Sequence, residues 1–138
     1  IWKPDCESYF AAMGIDGVNE WCNELIERFS ILGMKIIFVT GRPEKYRDQT
    51  IKWLNKKSYG CDYELFMRPD CVYPEIDLNA PDGACYHRMD NSTPSNILKK
   101  WIYEREIKGK YEVLFVLESD EDCATMYREN GVTVLVCR

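Results

Sequence analysis

Two short segments carry side chains that could do chemistry, and each lies at the end of a predicted strand. The first is the segment TGRPE at 40–44, at the tip of the strand predicted over 35–40. The hydroxyl of Thr40, the backbone N–H groups around Gly41 and the dipole of the following helix can all face an anion. Arg42 can add charge-assisted hydrogen bonds. The pattern predicts phosphate binding by these three residues, with an ordinary strand-to-helix turn as the alternative.

The second segment is ESDED at 118–122, which follows the strand predicted over 113–117. Four of its five side chains are carboxylates. Because Mg²⁺ takes carboxylate oxygens, the cluster predicts a divalent-cation site built on Glu118 and Asp120. Acidic residues are equally expected in the first turn of the helix predicted over 121–130, where they complement its dipole. A helix cap therefore stays open as the alternative to a metal site.

The elements that must position these segments alternate along the chain. Continuous apolar runs predict buried strands, and a 3.6-residue apolar period predicts helices. The strands are predicted near 35–40, 63–67, 113–117 and 132–136, and the helices near 18–32, 43–57, 94–107 and 121–130. This order predicts a three-layer, Rossmann-like α/β fold with a mostly parallel sheet, whose carboxyl strand ends share one edge. The stretch 70–91, with Pro74, Pro81 and Gly83, is predicted to be a long loop or small insertion.

Length and composition limit the class of protein. The 138 residues correspond to one domain, residues 1–138, with 46% hydrophobic residues and a net charge of −5. That charge argues against a general nucleic-acid or anionic-membrane coat. No apolar run approaches the roughly 20 residues that span a bilayer, so no membrane partner is expected. The seven cysteines are odd in number and form no C-x-x-C pair, which favours a reducing, cytoplasmic location.

Taken together, the two segments give the sequence a resemblance to the haloacid dehalogenase-like (HAD) phosphohydrolase superfamily. It is most similar to small phosphatases related to the phosphatase domain of phage polynucleotide kinase. Residues 33–44 resemble the second motif of that family, and residues 63–69 resemble its next strand. Residues 126–132 look like its final helix and strand. Residues 2–12 look like the linker after its first motif.

The resemblance implies a Mg²⁺-dependent phosphohydrolase of the HAD-like fold acting on a phosphomonoester. The substrate would be a phosphorylated small molecule or a nucleotide, with a polynucleotide end as a further candidate. In the family, a D-x-D-G-T segment at the tip of the central strand supplies the nucleophilic Asp and a second Asp that acts as general acid and base. The sequence contains no such segment. The first strand is therefore expected to be missing from these 138 residues, and no catalytic residue is assigned.

Two further motifs depart from the family pattern. The third motif is a Lys before the penultimate helix, but the segment at 93–96 holds no basic residue, and Lys99 and Lys100 lie inside the predicted helix. The fourth motif is usually an Asp pair, for which Glu118 and Ser119 stand here. Two functions stay open: a phosphatase with degenerate motifs whose nucleophile precedes residue 1, and a catalytically inactive relative. The inactive relative would use the fold for nucleotide or phosphate binding, or for assembly with a partner protein.

Overall fold

The computed structural model describes residues 20–57, 62–69 and 93–137. The elements are α1 (Glu20–Ile31), β1 (Ile36–Pro43), a 3-10 turn (Glu44–Tyr46), α2 (Arg47–Lys57), β2 (Tyr63–Arg68), α3 (Ser95–Ile102) with a π-helical turn (Tyr103–Ile107), β3 (Val116–Glu118), α4 (Glu121–Glu129) and β4 (Val134–Val136). The loop predicted at 70–91 and the linker-like residues 2–12 lie outside the described residues. No helix of the described part is long and apolar enough to cross a membrane.

The strands pair in parallel, as the alternation of helices and strands predicts. Within the described residues, β1 pairs with β2, with Ile36 opposite Tyr63, and β3 pairs with β4, with Val116 opposite Val134. Gly131, at a φ of 79°, follows α4 and lets the chain turn back toward β4. The described residues therefore form two parallel strand pairs rather than one continuous hydrogen-bonded sheet.

Side-chain contacts show that β1, β2 and β3 run in the same direction. Near their starts, Glu64 accepts a hydrogen bond from the Tyr111 hydroxyl at 2.9 Å and lies 3.9 Å from the Lys35 ammonium. This hydrogen bond to Glu64 raises the pKa of the Tyr111 hydroxyl. Near their ends, all three strands contact α3 or the residues that lead into it. Polar groups that follow these strands are thus brought to one edge of the fold.

The layers are set by side chains that alternate across the strands. On β1, Phe38 packs against the cluster shared with α2, whereas Ile37 and Val39 pack against the cluster that includes the π-helical turn and α4. Just before β3, Phe115 meets Phe29 of α1 edge to face, with ring centroids 5.1 Å apart. Val116 faces the α4 side. Helices α1 and α2 therefore cover one face and α3 and α4 the other, which confirms the three-layer α/β prediction.

Several element bounds differ from the predicted ones. β1 continues to Pro43 instead of ending near residue 40, because its last residues regain pairing with β2 at Arg68. β3 begins at Val116 rather than 113, because ladder partners on β4 start only at Val134. The apolar run 113–115 thus lies beside the sheet without a strand partner among the described residues.

Candidate functional site

The tip of β1 is a bulged strand rather than a simple turn into a helix. From Val39 to Pro43 the strand advances four residues, while β2 advances two, from Phe66 to Arg68. Within the bulge, the backbone N–H of Arg42 donates to the Thr40 hydroxyl oxygen at 3.2 Å. The bulge therefore brings a hydroxyl and a backbone N–H together at the strand tip.

The helix predicted near 43–57 begins one residue later, at Glu44, and its first turn is 3-10 rather than α. Pro43 has an extended ψ of 147°, a 3-10 turn follows it, and α2 begins only at Arg47. The 3-10 turn is closed by Glu44, whose carboxylate oxygens accept from Arg47 at 2.6 and 2.7 Å and raise the pKa of that guanidinium. The regular α-helical segment therefore begins at Arg47, with the 3-10 turn between it and the predicted anion site.

Arg68, at the end of β2, fixes the position of the β1 tip. Its Nε donates to the Gly41 carbonyl at 2.8 Å, and its Nη1 donates to the Thr93 carbonyl at 2.7 Å. The residue is only 6% exposed. A Cβ on Gly41 would lie 3.3 Å from Ser95 Oγ and 3.5 Å from Arg68 Nη2, so glycine allows the close approach. Arg68 therefore joins the ends of β1 and β2 to the start of α3.

Arg42, which the sequence predicts to bind phosphate, also packs against an aromatic side chain of α2. Its guanidinium carbon lies 5.5 Å from the centre of the Trp53 ring on α2, a cation–π contact. The stack places the Arg42 charge on the α2 side of the bulge. Phosphate binding by Thr40, Gly41 and Arg42 stays a prediction, and the structure places all three on the half-buried tip of β1.

Lys99, on α3, forms a buried ion pair with the first acidic residue of the second segment. Its Nζ lies 2.7 Å from Glu118 Oε2, with side chains 13% and 8% exposed. The other oxygen of Glu118 accepts from the backbone N–H groups of Ser119 and Asp120 at 3.0 and 3.1 Å. Both oxygens of this carboxylate are thus engaged by the protein itself.

Asp120, the other predicted metal ligand, is the N-cap of α4. Its Oδ1 accepts from the Cys123 backbone N–H at 2.9 Å. This hydrogen bond is the main reason that the pKa of Asp120 is lowered, and Lys99 adds a smaller attraction. Burial raises the pKa of the Cys123 thiol to about 12, so Cys123 is a packed neutral group. The geometry of Asp120 is that of the helix-capping alternative, while its role as a metal ligand stays a prediction.

The cap gives a pH-dependent prediction. We expect Asp120→Ala to lower the free energy of unfolding by about 1 kcal/mol at neutral pH, and Asp120→Asn to lower it less because Asn also caps helices. Since the pKa of Asp120 is lower in the folded protein, its contribution is complete above the unfolded value near 3.9 and is lost as the pH falls through the folded value. Urea melts between pH 3 and 7 measure this. A constant difference between wild type and Asp120→Ala across that range would contradict it.

The ends of β1, β2 and β3 thus form what we call the strand-end cluster, consisting of Thr40, Gly41, Arg42, Arg68, Ser95, Lys99 and Glu118. It joins the Thr40 hydroxyl with the buried Arg68 and the half-buried Arg42 and Lys99 at one edge of the fold. Such donors suit an oxyanion such as phosphate. The described residues contain no group of three or more side chains placed to hold a metal ion.

Three members of this cluster were not among the predicted site residues. Arg68 ends an apolar strand, Ser95 follows a helix-starting Pro94, and Lys99 lies one turn later on the same face of α3. The sequence offered one signal: Ser95 and Lys99 are four residues apart, which places them on the same face of a helix. The spacing alone does not show that this face of α3 packs against the ends of β1 and β3.

Comparison with known proteins agrees with this geometry. Residues 7–138 match the family described as the polynucleotide kinase PNKP phosphatase domain, of the HAD-like class. No curated protein matches the chain. Among solved structures, the chain resembles one described as the Pnkp1/Rnl/Hen1 RNA repair complex, with a TM-score of 0.71 and 25% identity. The alignment covers 98% of this chain and 36% of that one. The chain thus belongs to the HAD-like family of PNKP phosphatase domains.

Proposed function

We propose that this domain binds the phosphate group of a phosphomonoester at the strand-end cluster. The observation that carries the proposal is the bulge at the tip of β1, where the Thr40 oxygen accepts from the Arg42 N–H at 3.2 Å and the Thr40 O–H is left to donate to a phosphate oxygen. Arg68 and Lys99 add positive charge at the same edge. Membership of a phosphohydrolase family supports this use of the site.

The substrate class that we propose is a nucleotide or the phosphorylated end of a polynucleotide. Support comes from the family, whose name refers to a polynucleotide kinase, and from the structural neighbour, which is described as part of an RNA repair complex. This chain spans 36% of the length of that neighbour, so partners held by the rest of that protein are not carried over. A terminal phosphate also suits a domain with a net charge of −5, which disfavours long nucleic-acid tracks.

Replacing the Thr40 hydroxyl tests the site directly. We expect Thr40→Val, which keeps the shape, to weaken binding of an end-phosphorylated oligonucleotide by roughly 10- to 100-fold, as loss of a hydrogen bond to a charged group does. Thr40→Ser keeps the hydroxyl and should bind like the wild type. Fluorescence anisotropy would compare oligonucleotides phosphorylated at the 5′ end, at the 3′ end and at neither. Equal affinity of Thr40→Val and wild type would remove Thr40 from the site.

A second function is favoured by the acidic segment, namely that of a binding or assembly module without hydrolytic activity. Glu118 is held by Lys99 and two N–H groups, and Asp120 caps α4. Phosphatases of this superfamily use Mg²⁺, but an ammonium group 2.7 Å from Glu118 competes with a cation for the same oxygen. The described carboxylates therefore do not fit a Mg²⁺ site on their own, and no hydrolytic step is assigned to them.

Thermal melts with and without Mg²⁺ test whether Glu118 and Asp120 bind the cation that a phosphatase of this superfamily uses. We expect no change in Tm with millimolar Mg²⁺, because the carboxylate oxygens already have partners. A cation bound at about 100 times its Kd would instead stabilise the fold by about 2.7 kcal/mol, a shift of several degrees. The double variant Glu118→Gln, Asp120→Asn is the control. A Mg²⁺-dependent rise in wild-type Tm that this variant loses would establish the predicted metal site at Glu118 and Asp120.

The remaining proposals concern the whole chain. We propose that residues 1–138 form one HAD-like domain, supported by the match over residues 7–138. The cytoplasmic location that the cysteine content favours stays a prediction.

A further inference from the structure

Residues 42–57 are basic within an acidic chain. They hold six cationic side chains and two carboxylates, whereas the whole chain has a net charge of −5. Within this segment, Arg47 and Glu44 neutralise each other through an ion pair at 2.6 Å. The remaining positive charge lies on Arg42 in the bulge and on the lysines that follow it, against the single further carboxylate of Asp48. The segment therefore carries a local excess of positive charge beside the tip of β1.

Three of these lysines lie along one face of α2 and the 3-10 turn before it. Lys52 follows Lys45 by seven residues and precedes Lys56 by four, spacings that return to the same side of a helix. Gln49 lies between them on that face, and all four side chains are exposed. We call this row the α2 stripe, consisting of Lys45, Gln49, Lys52 and Lys56. No described residue forms an ion pair with Lys52 or Lys56, so both ammonium groups are available to an anionic ligand.

The α2 stripe begins next to the strand-end cluster. Lys45 lies three residues after Arg42, on the 3-10 turn that connects β1 to α2. The Arg42 guanidinium lies over the ring of Trp53, 5.5 Å from its centre, and Trp53 neighbours Gln49 and Lys56 on the helix surface. Positive charge therefore continues from the proposed phosphate site, through Arg42, onto the exposed face of α2.

A row of cations that starts at a phosphate site suits a ligand that carries several phosphates in succession. Lys52 and Lys56 are about 6 Å apart along the helix axis, and the 11 residues of α2 span about 16 Å, enough to follow a few nucleotides. Lysines neutralise backbone phosphates without reading bases. The last nucleotides must be unpaired, because their terminal phosphate has to reach the half-buried tip of β1. The net negative charge of the chain disfavours a longer track.

We propose that the α2 stripe binds the first backbone phosphates of a single-stranded polynucleotide whose terminal phosphate lies at the strand-end cluster. This inference rests on the proposed phosphate site and adds a short track outside it. The ligand is then an oligonucleotide end rather than a mononucleotide, and binding depends little on base sequence.

Ligand length and salt concentration test the track. Fluorescence anisotropy on the full chain would compare a single-stranded hexanucleotide with a mononucleotide competitor, both phosphorylated at the same end. We expect the hexanucleotide to bind about tenfold more tightly at low salt. The double variant Lys52→Gln, Lys56→Gln should lose most of this length advantage. It should also reduce the slope of log K against log salt by about 1.4, since each neutralised phosphate of a single strand contributes about 0.7. Both side chains are exposed, so the variant keeps its fold.

A matched control removes the same charge elsewhere. Lys108 and Lys110 are exposed and follow the π-helical turn, at the end of the fold where Tyr111 meets the start of β2. We expect Lys108→Gln, Lys110→Gln to bind the hexanucleotide like the wild type, with the same salt slope. Equal effects of the two double variants, or equal affinity of mononucleotide and hexanucleotide, would overturn the track.

Three further outcomes separate the track from the phosphate site and from other ligands. If Thr40→Val weakens hexanucleotide binding and Lys52→Gln, Lys56→Gln does not, the phosphate site is supported and the track is wrong. If the lysine variant weakens binding but removal of the terminal phosphate does not, the stripe still binds the strand and the proposed function is wrong. A hexaglutamate peptide, or a fully paired duplex with the same phosphorylated end, that binds as tightly as the single strand would overturn the assignment of the ligand.

Discussion

Replacing Lys99 by methionine is expected to lower the free energy of unfolding by about 3–5 kcal/mol. The change leaves the carboxylate of Glu118 buried without its 2.7 Å partner, and removing one member of a buried pair costs far more than the pair contributes. Glu118→Gln should cost less than Lys99→Met, because the amide keeps an acceptor for the N–H groups of Ser119 and Asp120. Urea denaturation of the two single variants and of the double variant Lys99→Met, Glu118→Gln measures these changes in the free energy of unfolding.

The neighbouring lysine supplies the matched control. Lys100 lies 4.0 Å from Glu104 with a side chain 35% exposed, so Lys100→Met should cost at most about 1 kcal/mol. The double variant should cost less than the sum of its two single changes, because it leaves no unpaired charge. If Lys99→Met were no more destabilising than Lys100→Met, the ion pair would be a minor contact.

The fold was predictable because local pattern and tertiary structure agree over most of the described chain. The continuous apolar run at 36–39 packs against a core cluster on each face of the strand, so its sequence alone indicates a parallel strand. Helix α4 was predictable for a similar reason: an acidic first turn and the Asn130-Gly131 stop are both local signals. These signals need no long-range contact to be read.

The candidate site was only half predictable, because its other half depends on contacts between distant elements. Thr40 and Glu118 were found because each ends a strand. Arg68 became part of the site only when β2 brought it within 2.8 Å of the Gly41 carbonyl, 27 residues away. Lys99 lies inside a helix, where a lysine usually faces water. The sequence does not show that β3 ends beneath it.

Arg68 should be the second most sensitive position. Arg68→Leu removes two hydrogen bonds from a charged donor to the carbonyls of Gly41 and Thr93, and bonds of this kind contribute about 1.5–3 kcal/mol each. We expect a loss of about 3 kcal/mol in the free energy of unfolding. We also expect weaker binding of an end-phosphorylated oligonucleotide, because the β1 bulge is no longer held against α3. Chemical denaturation and anisotropy on the same variant measure both effects.

Arg68→Lys separates charge from geometry. Lysine restores the positive charge but cannot reach both carbonyls with a rigid fork, so it should recover only part of the stability and of the affinity. Arg47→Leu is the control, since Arg47 also donates to a carbonyl of β2, that of Leu65 at 3.2 Å, but its side chain is 37% exposed. Full recovery by lysine would mean that charge alone matters. Incomplete recovery, with little effect of Arg47→Leu, would show that the fork positions the β1 tip on which phosphate binding depends.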